Sequence, residues 1–231
     1  LRRLNVIAGV LHLVQAIAVV LLATAFALPV TAAFPAGPPG TPAPAPETLF
    51  EIRTGWAVAA FFLLSALAHF IIASPRVFPW YRYNLLHNRN YARWIEYSLS
   101  SSIMIVLIAQ LTGITDVAAL IALFGVNASM ILFGLLQERY EEPGQGMLPF
   151  WLGCIAGIVP WIAILIYLLG APAVPGFVIG IFVTLFVFFN SFALNQWLQY
   201  RQKGPWRDYL FGERMYIICL LYTSPSPRDQ R

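Results

Sequence analysis

"RNYARWIEYSLSSSIMIVLIAQL", residues 89–111, is an apolar run that keeps one carboxylate, Glu96, near its start. A hydrocarbon core about 30 Å thick takes roughly 20 apolar residues per helix, so the stretch reads as a membrane helix. The acid inside it is what needs explaining. The rest of the chain has the same character: of 231 residues, 59% are hydrophobic and only 10% charged, and the mean hydropathy is +0.72. That mix excludes an ordinary soluble domain.

Seven runs of this kind lie between charged or Pro/Gly-rich breaks: Leu4 to Leu28, Thr54 to Ala73, Tyr91 to Thr112, Thr115 to Leu136, Met147 to Leu169, Val174 to Gln199 and Tyr209 to Tyr222. The expected fold is an all-α, seven-helix transmembrane bundle whose seventh helix is incomplete, because the last run is too short to cross. The first run opens with Arg2 and Arg3 like a signal peptide, but its length and its internal His12 and Gln15 suit a helix retained in a bundle. Cys154 and Cys219 sit on different runs with no pairing or ligand spacing and are expected simply to pack. No nucleic-acid signature is present.

Basic residues collect on one side of the expected bundle. That side carries Arg2 and Arg3, Arg76 to Arg93, Arg139, then Arg201, Lys203, Arg207 and Arg214. The positive-inside rule makes it the cytoplasm, which puts the N-terminus inside and, after seven spans, the C-terminus outside a multi-pass cell-membrane protein. The Pro/Ala-rich stretch 29–50 is then an extracellular loop, read as an extended linker.

Ionisable groups at depth are His12, His69 and Glu96, on the first three runs. At about 1.5 Å per residue they lie roughly 12, 6 and 8 Å from the basic side. Groups at similar depth on consecutive antiparallel helices can meet in the bundle, and intramembrane ionisable groups read as functional by default. A plainer reading makes Glu96 an interfacial ion pair with Arg93, one turn earlier. The fourth and fifth runs show no ionisable residue at depth. On the sixth, Asn190, Asn195 and Gln196 require hydrogen-bond partners, and Phe188, Phe189 and Phe192 beside them form either a pocket wall or plain core.

The segments "LRRLNVIAGVLHLVQA", "YNLLHNRNYARWIEYSLSSSIMI", "NSFALNQWLQY" and "WRDYLFGERMYI" closely resemble heliorhodopsins, the inverted-topology branch of microbial rhodopsins. The resemblance implies a light-sensing photoreceptor, neither an enzyme nor an evident pump, that binds all-trans retinal. It makes Glu96 the counterion of a protonated Schiff base, since a cationic imine in low dielectric needs an anion close by. It makes His12 and His69 part of a polar cavity beside that centre, and it puts Tyr97, Asn127, Met130, Ile131, Phe189 and Gln196 in the retinal pocket. It also implies a homodimer and an unknown cytoplasmic signalling partner in the lipid bilayer; the Gly153 to Gly157 spacing is slight sequence support for the dimer.

One departure stands out. The resemblance places the retinal-bearing Lys at position 224, where this chain has Ser224, and the sole Lys, Lys203, lies in a polar loop. Covalent attachment is therefore not expected in this chain as it stands. After Tyr222 the sequence turns to "TSPSPRDQR", which cannot continue a membrane helix. Residues 223–231 are read as a foreign tail on a domain spanning 1–222; a retinal-free homologue is the other explanation. Two rival functions remain: a proton or ion transporter using a His12/His69/Glu96 relay, and an intramembrane metal enzyme, which lacks any local ligand-spacing signature.

Overall fold

The structure, a computed structural model, describes residues 1–42 and 44–223, with side chains described up to residue 219. Helix α1 (Arg2–Leu22) is followed by strands β1 (Ala27–Ala32) and β2 (Glu47–Arg53), then α2 (Thr54–Ala73) and a short α3 (Phe78–Leu86). Four long helices come next: α4 (Tyr91–Leu111), α5 (Val117–Tyr140), α6 (Leu148–Gly170) and α7 (Gly176–Tyr200). A 3-10 turn (Gly204–Arg207) leads to α8 (Tyr209–Thr223). Six of these helices, α1, α2 and α4 to α7, are long and apolar enough to cross a membrane, and α8 forms the seventh element of a rhodopsin-like helical bundle. α1 packs along α2, α2 against α4, α4 against α5, α5 against α6, and α7 against α8.

The expected reach of the first helix to Leu28 is corrected. α1 ends at Leu22, and the chain turns into β1, which pairs antiparallel with β2 from Ala27 opposite Arg53 to Ala32 opposite Glu47. Pro29 cannot continue a helix but fits a two-stranded ribbon, both of whose strands are edges. The two ends of the stretch 29–50 are thus paired strands, and the chain between Ala32 and Glu47 is the long connecting loop. Its inner strand is docked: the Thr31 amide donates to the Thr115 carbonyl at 2.8 Å, in the turn between α4 and α5, and Val30 is buried among core side chains.

The starts of α4 and α5 carry side-chain caps. Asn90 caps α4 by accepting from the Arg93 amide at 3.1 Å, and Asp116 caps α5 by accepting from the Ala118 and Ala119 amides at 3.0 Å. Gly113, with φ of 99°, makes the turn that closes α4. At its other end α5 runs past the expected Leu136 to Tyr140. Gln137, fully buried there, donates to the Gly146 carbonyl at 2.9 Å and accepts from the Phe150 amide at 3.1 Å, so it ties α5 to the start of α6.

The interior is divided along the bundle axis. Towards the hairpin it is apolar, with Phe61, Phe62, Ile105, Ile108, Leu123, Trp161 and Ile164 in one cluster. Towards the arginine-rich end it is polar, and Asn5, His12, His69, Arg93, Glu96, Glu138 and Glu213 are all buried. Large apolar side chains such as Leu21, Ile121 and Leu169 point outward, as a lipid-facing surface requires.

Close helix approach depends on glycine. Gly134 of α5 lies under the Trp94 indole of α4, and Gly153 and Gly157 of α6 face Phe133 and Met130 of α5. The small-residue spacing on α6 is therefore used inside this chain. Gly134→Val pushes a branched side chain into a rigid ring, an overpacking that costs about 1–3 kcal/mol. The expected result is a lower thermal midpoint in detergent micelles, and an unchanged midpoint would contradict this packing.

Candidate functional site

The arginine-rich half of the bundle holds its ionisable groups in two sets. The first is built on α1, α2 and α4. His12 of α1 stacks on His69 of α2, with ring centroids 5.6 Å apart and planes 8° from parallel. His69 Nδ1 donates to Asn5 Oδ1 at 2.8 Å, while both ring nitrogens of His12 lack a hydrogen-bond partner among the described residues. Ser65, one turn before His69, donates to Glu96 Oε1 at 2.7 Å. Glu96 and His69 line one small cavity together with Asn5, Tyr81, Arg93 and Tyr216, and His12 lies behind the His69 ring. The three groups picked out by depth thus converge, with the first histidine a layer behind the other two.

The second set was not foreseen. Arg93 pairs with Glu138 of α5 and Glu213 of α8, and both carboxylates are almost wholly buried. The Asn90 amide donates to Glu138 Oε2 at 2.8 Å, and the Asn90 side chain donates to Glu213 Oε2 at 2.6 Å. The guanidinium also lies 3.8 Å from the Tyr216 ring centroid and 4.4 Å from that of Trp94, geometry that suits a cation over a π face. This corrects two expectations. Arg93 is not the partner of Glu96, since neither ion pair found among the described residues includes Glu96. Nor is Glu96 the sole deep acid. Tyr81, on the short helix α3 between two spans, has its phenol pushed above its ordinary range by burial and, secondarily, by the Glu213 charge.

Beside Glu96 lies a second, mainly apolar cavity of about 100 Å³ between α4, α5, α6 and α7. Five of the residues expected to line a retinal pocket do line it: Tyr97, Met130, Ile131, Phe189 and Gln196. Trp94, Phe192 and Cys154 are also on the lining, and Cys154 packs as expected, against a cluster of Met147, Phe150 and Tyr200. Asn127 is not on the lining. It stands one layer back and donates to the Ser101 and Ser102 hydroxyls at 2.9 and 3.1 Å, which fixes Ser101 on the wall. Tyr97 lines both cavities, and its hydroxyl donates to the Tyr216 carbonyl at 3.3 Å.

The amides of α7 find partners as burial demands. Gln196 donates to the Gly134 carbonyl at 3.3 Å; Asn195 donates to the Gly212 carbonyl at 3.0 Å and accepts from the Trp206 indole at 2.6 Å. Asn190 is exposed and bonds back to its own helix at Phe186. Lys203 is exposed beyond the end of α7, and Ser224, with the tail that follows, lies outside the described residues.

A helical membrane bundle with an aromatic slot between its helices, and a buried acid in a second cavity that shares Tyr97 with the slot, has the layout of a rhodopsin-type protein. The family model for heliorhodopsins matches residues 1–224, and the chain belongs to the heliorhodopsin family. It is accordingly a multi-pass membrane protein of the retinal-binding rhodopsin type. No curated protein matches it. The walls fit such a chromophore: flat and flexible apolar side chains suit a polyene, with few polar groups among them, Ser100, Ser101 and Gln196 included.

Removing Arg93 tests the second set of charges. Arg93→Gln leaves two buried carboxylates without their cation, a loss of about 3–5 kcal/mol for a broken buried pair. Its denaturation midpoint should fall well below that of Arg139→Ala, a substitution at an exposed arginine bonded only to the Tyr91 hydroxyl. Equal midpoints would rule out the proposed weight of the cluster.

Proposed function

We propose that the chain is a light-sensing retinal protein rather than an ion pump, with Glu96 as the anion facing the cationic end of the chromophore. One observation carries the reading: Glu96 lines the polar cavity, its chain neighbour Tyr97 lines both that cavity and the apolar slot, and no cation among the described residues is paired with Glu96. Retinal supplies absorption of visible light and photoisomerisation when bound. The protein's own part is to hold the polyene between Trp94, Tyr97, Met130, Phe189 and Phe192, to keep water out of that slot, and to orient the Glu96 carboxylate through Ser65. Glu96 can then hold or receive a proton, with the stacked His12 and His69 next in line. The arginine-rich face is taken as cytoplasmic, which is where a signalling partner would meet the protein. A homodimer is proposed from the family resemblance alone.

This chain has Ser224 where the family places its attachment Lys, and Lys203 is exposed, so retinal uptake here is proposed to be non-covalent. In lipid nanodiscs the protein should take up one equivalent of all-trans retinal, read as saturable quenching of tryptophan fluorescence. Ala193→Phe, which fills the slot, should abolish the quenching. Uptake that is unsaturable, or indifferent to Ala193→Phe, sinks the pocket assignment.

Attachment and function are tested in a second protein, carrying Ser224→Lys with Pro225→Leu and Pro227→Leu. It should form a visible pigment with retinal, and adding Glu96→Gln should displace or abolish the visible band. The rival reading as a light-driven proton transporter draws on the His12/His69/Glu96 arrangement. In sealed vesicles it requires a sustained pH change on illumination of the pigment, whereas a sensor gives none.

A further inference from the structure

Two carboxylates share one guanidinium inside this bundle. Glu138 accepts from Arg93 and from the Asn90 amide, and the Tyr209 hydroxyl donates to it at 3.3 Å; Glu213 accepts from Arg93 and from the Asn90 side chain. The side chains of both acids are 1% exposed and that of Arg93 is 6% exposed. With both acids ionised the group carries a net negative charge with very little exposure to solvent, where charge is costly. One proton on the pair makes it neutral.

Its position gives that proton somewhere to go. Arg93, Asn90 and Glu213 line the inner cavity that also holds Glu96 and His69. Glu138 and Tyr209 line a vestibule of about 440 Å³ at the arginine-rich end, with Arg89, Glu141 and Glu142 around it. The hydrogen-bonded cluster is thus a common wall between the two spaces. A second sign of a polar function is Tyr216, which is 1% exposed and lines the inner cavity, and whose hydroxyl has no hydrogen-bond partner among the described residues.

We propose that Glu138 and Glu213, held by Arg93, form a proton-binding site that carries one proton between them and exchanges it with the inner cavity and the vestibule. Loss of the proton breaks one carboxyl O–H bond, passes the proton to a base in either space and leaves the cluster at a net charge of −1. The titratable or charged groups facing the site are Arg93 and Glu96 of α4, Tyr209 and Tyr216 of α8, Tyr81 of α3, Tyr200 of α7 and His69 of α2, with His87, Arg89, Glu141, Glu142 and Arg207 around the vestibule. Arg93 is the one cation among the described residues that is paired with either acid. The proposal does not depend on retinal.

Infrared spectroscopy of the full chain in lipid tests it, with Glu96→Gln as background so that the carboxyl of Glu96 does not contribute. At neutral pH this protein should show the carbonyl band of one protonated carboxylic acid, shifted in heavy water and lost in a single step as pH rises. Adding Glu138→Gln or Glu213→Gln leaves one acid opposite one arginine, and each should abolish the band. Unchanged helix content and monodisperse elution verify that these near-isosteric variants fold. Absence of the band in Glu96→Gln, a measurement that needs neither second substitution, overturns the proposal. Survival of the band in either double variant also overturns it.

Discussion

The commitment of Arg93 to Glu138 and Glu213 organises the polar half of this protein. A guanidinium inside a membrane bundle is tolerated only when it is neutralised, and here the neutralising groups, bonded through both terminal nitrogens of Arg93, come from two other helices, α5 and α8. The same contact holds α8, the shortest of the seven bundle elements, against the rest. It also decides the state of Glu96. One turn separates Glu96 from Arg93, close enough for an ion pair along a helix, yet Arg93 is taken up by other acids and Glu96 is left with a neutral donor, Ser65. An acid without a built-in cation is what a site for a cationic ligand requires.

The division of the interior into apolar and polar halves follows from this placement. Near the hairpin, aromatic and branched side chains form the main apolar cluster, and the hairpin seals that end by bonding Thr31 to the turn at Thr115. Several buried polar atoms lack a partner among the described residues, and those of Arg93, Trp94, Ser100 and Tyr216 belong to residues that line the two cavities. Tyr97 stands at the boundary. Its ring forms part of the aromatic slot, meeting Phe192 edge-on at 4.8 Å, and its hydroxyl is tied to α8.

Much of this was legible in the amino-acid order, because a membrane span imposes a length and a polarity that no neighbour can override. The spans beginning at Thr54, Tyr91, Met147 and Val174 sit within a few residues of α2, α4, α6 and α7. Depth alone was enough to bring His12, His69 and Glu96 together. What hydropathy concealed were residues at the margins of runs. Glu138 lies two positions past Leu136, in "LLQERYEEP", and looks like a surface acid until α5 is seen to continue to Tyr140. Glu213 sits in the quoted "FGERMYI", but its burial depends on packing against α4 that no local pattern reports. The hairpin was hidden by its prolines: the strands carry Val30, Phe50 and Ile52, while proline density in the intervening loop dominates the composition.

On the proposed reading, a pocket for a polyene and a means of attaching it are separable features, and the slot belongs to the first. The slot is shaped by α4 to α7 through contacts that involve no lysine: Trp94 over Gly134, Met130 against Gly157, Gln196 on the Gly134 carbonyl, and Asn127 fixing Ser101. None of these depends on the residue at position 224. In the proposed function an attachment group would determine whether a chromophore stays, and the walls whether it enters. Since Ser65 holds Glu96 from α2, and Tyr97 of α4 joins the slot to the polar cavity, the two spaces are distinguished by the protein's own residues, and a bound chromophore would not have to create that asymmetry.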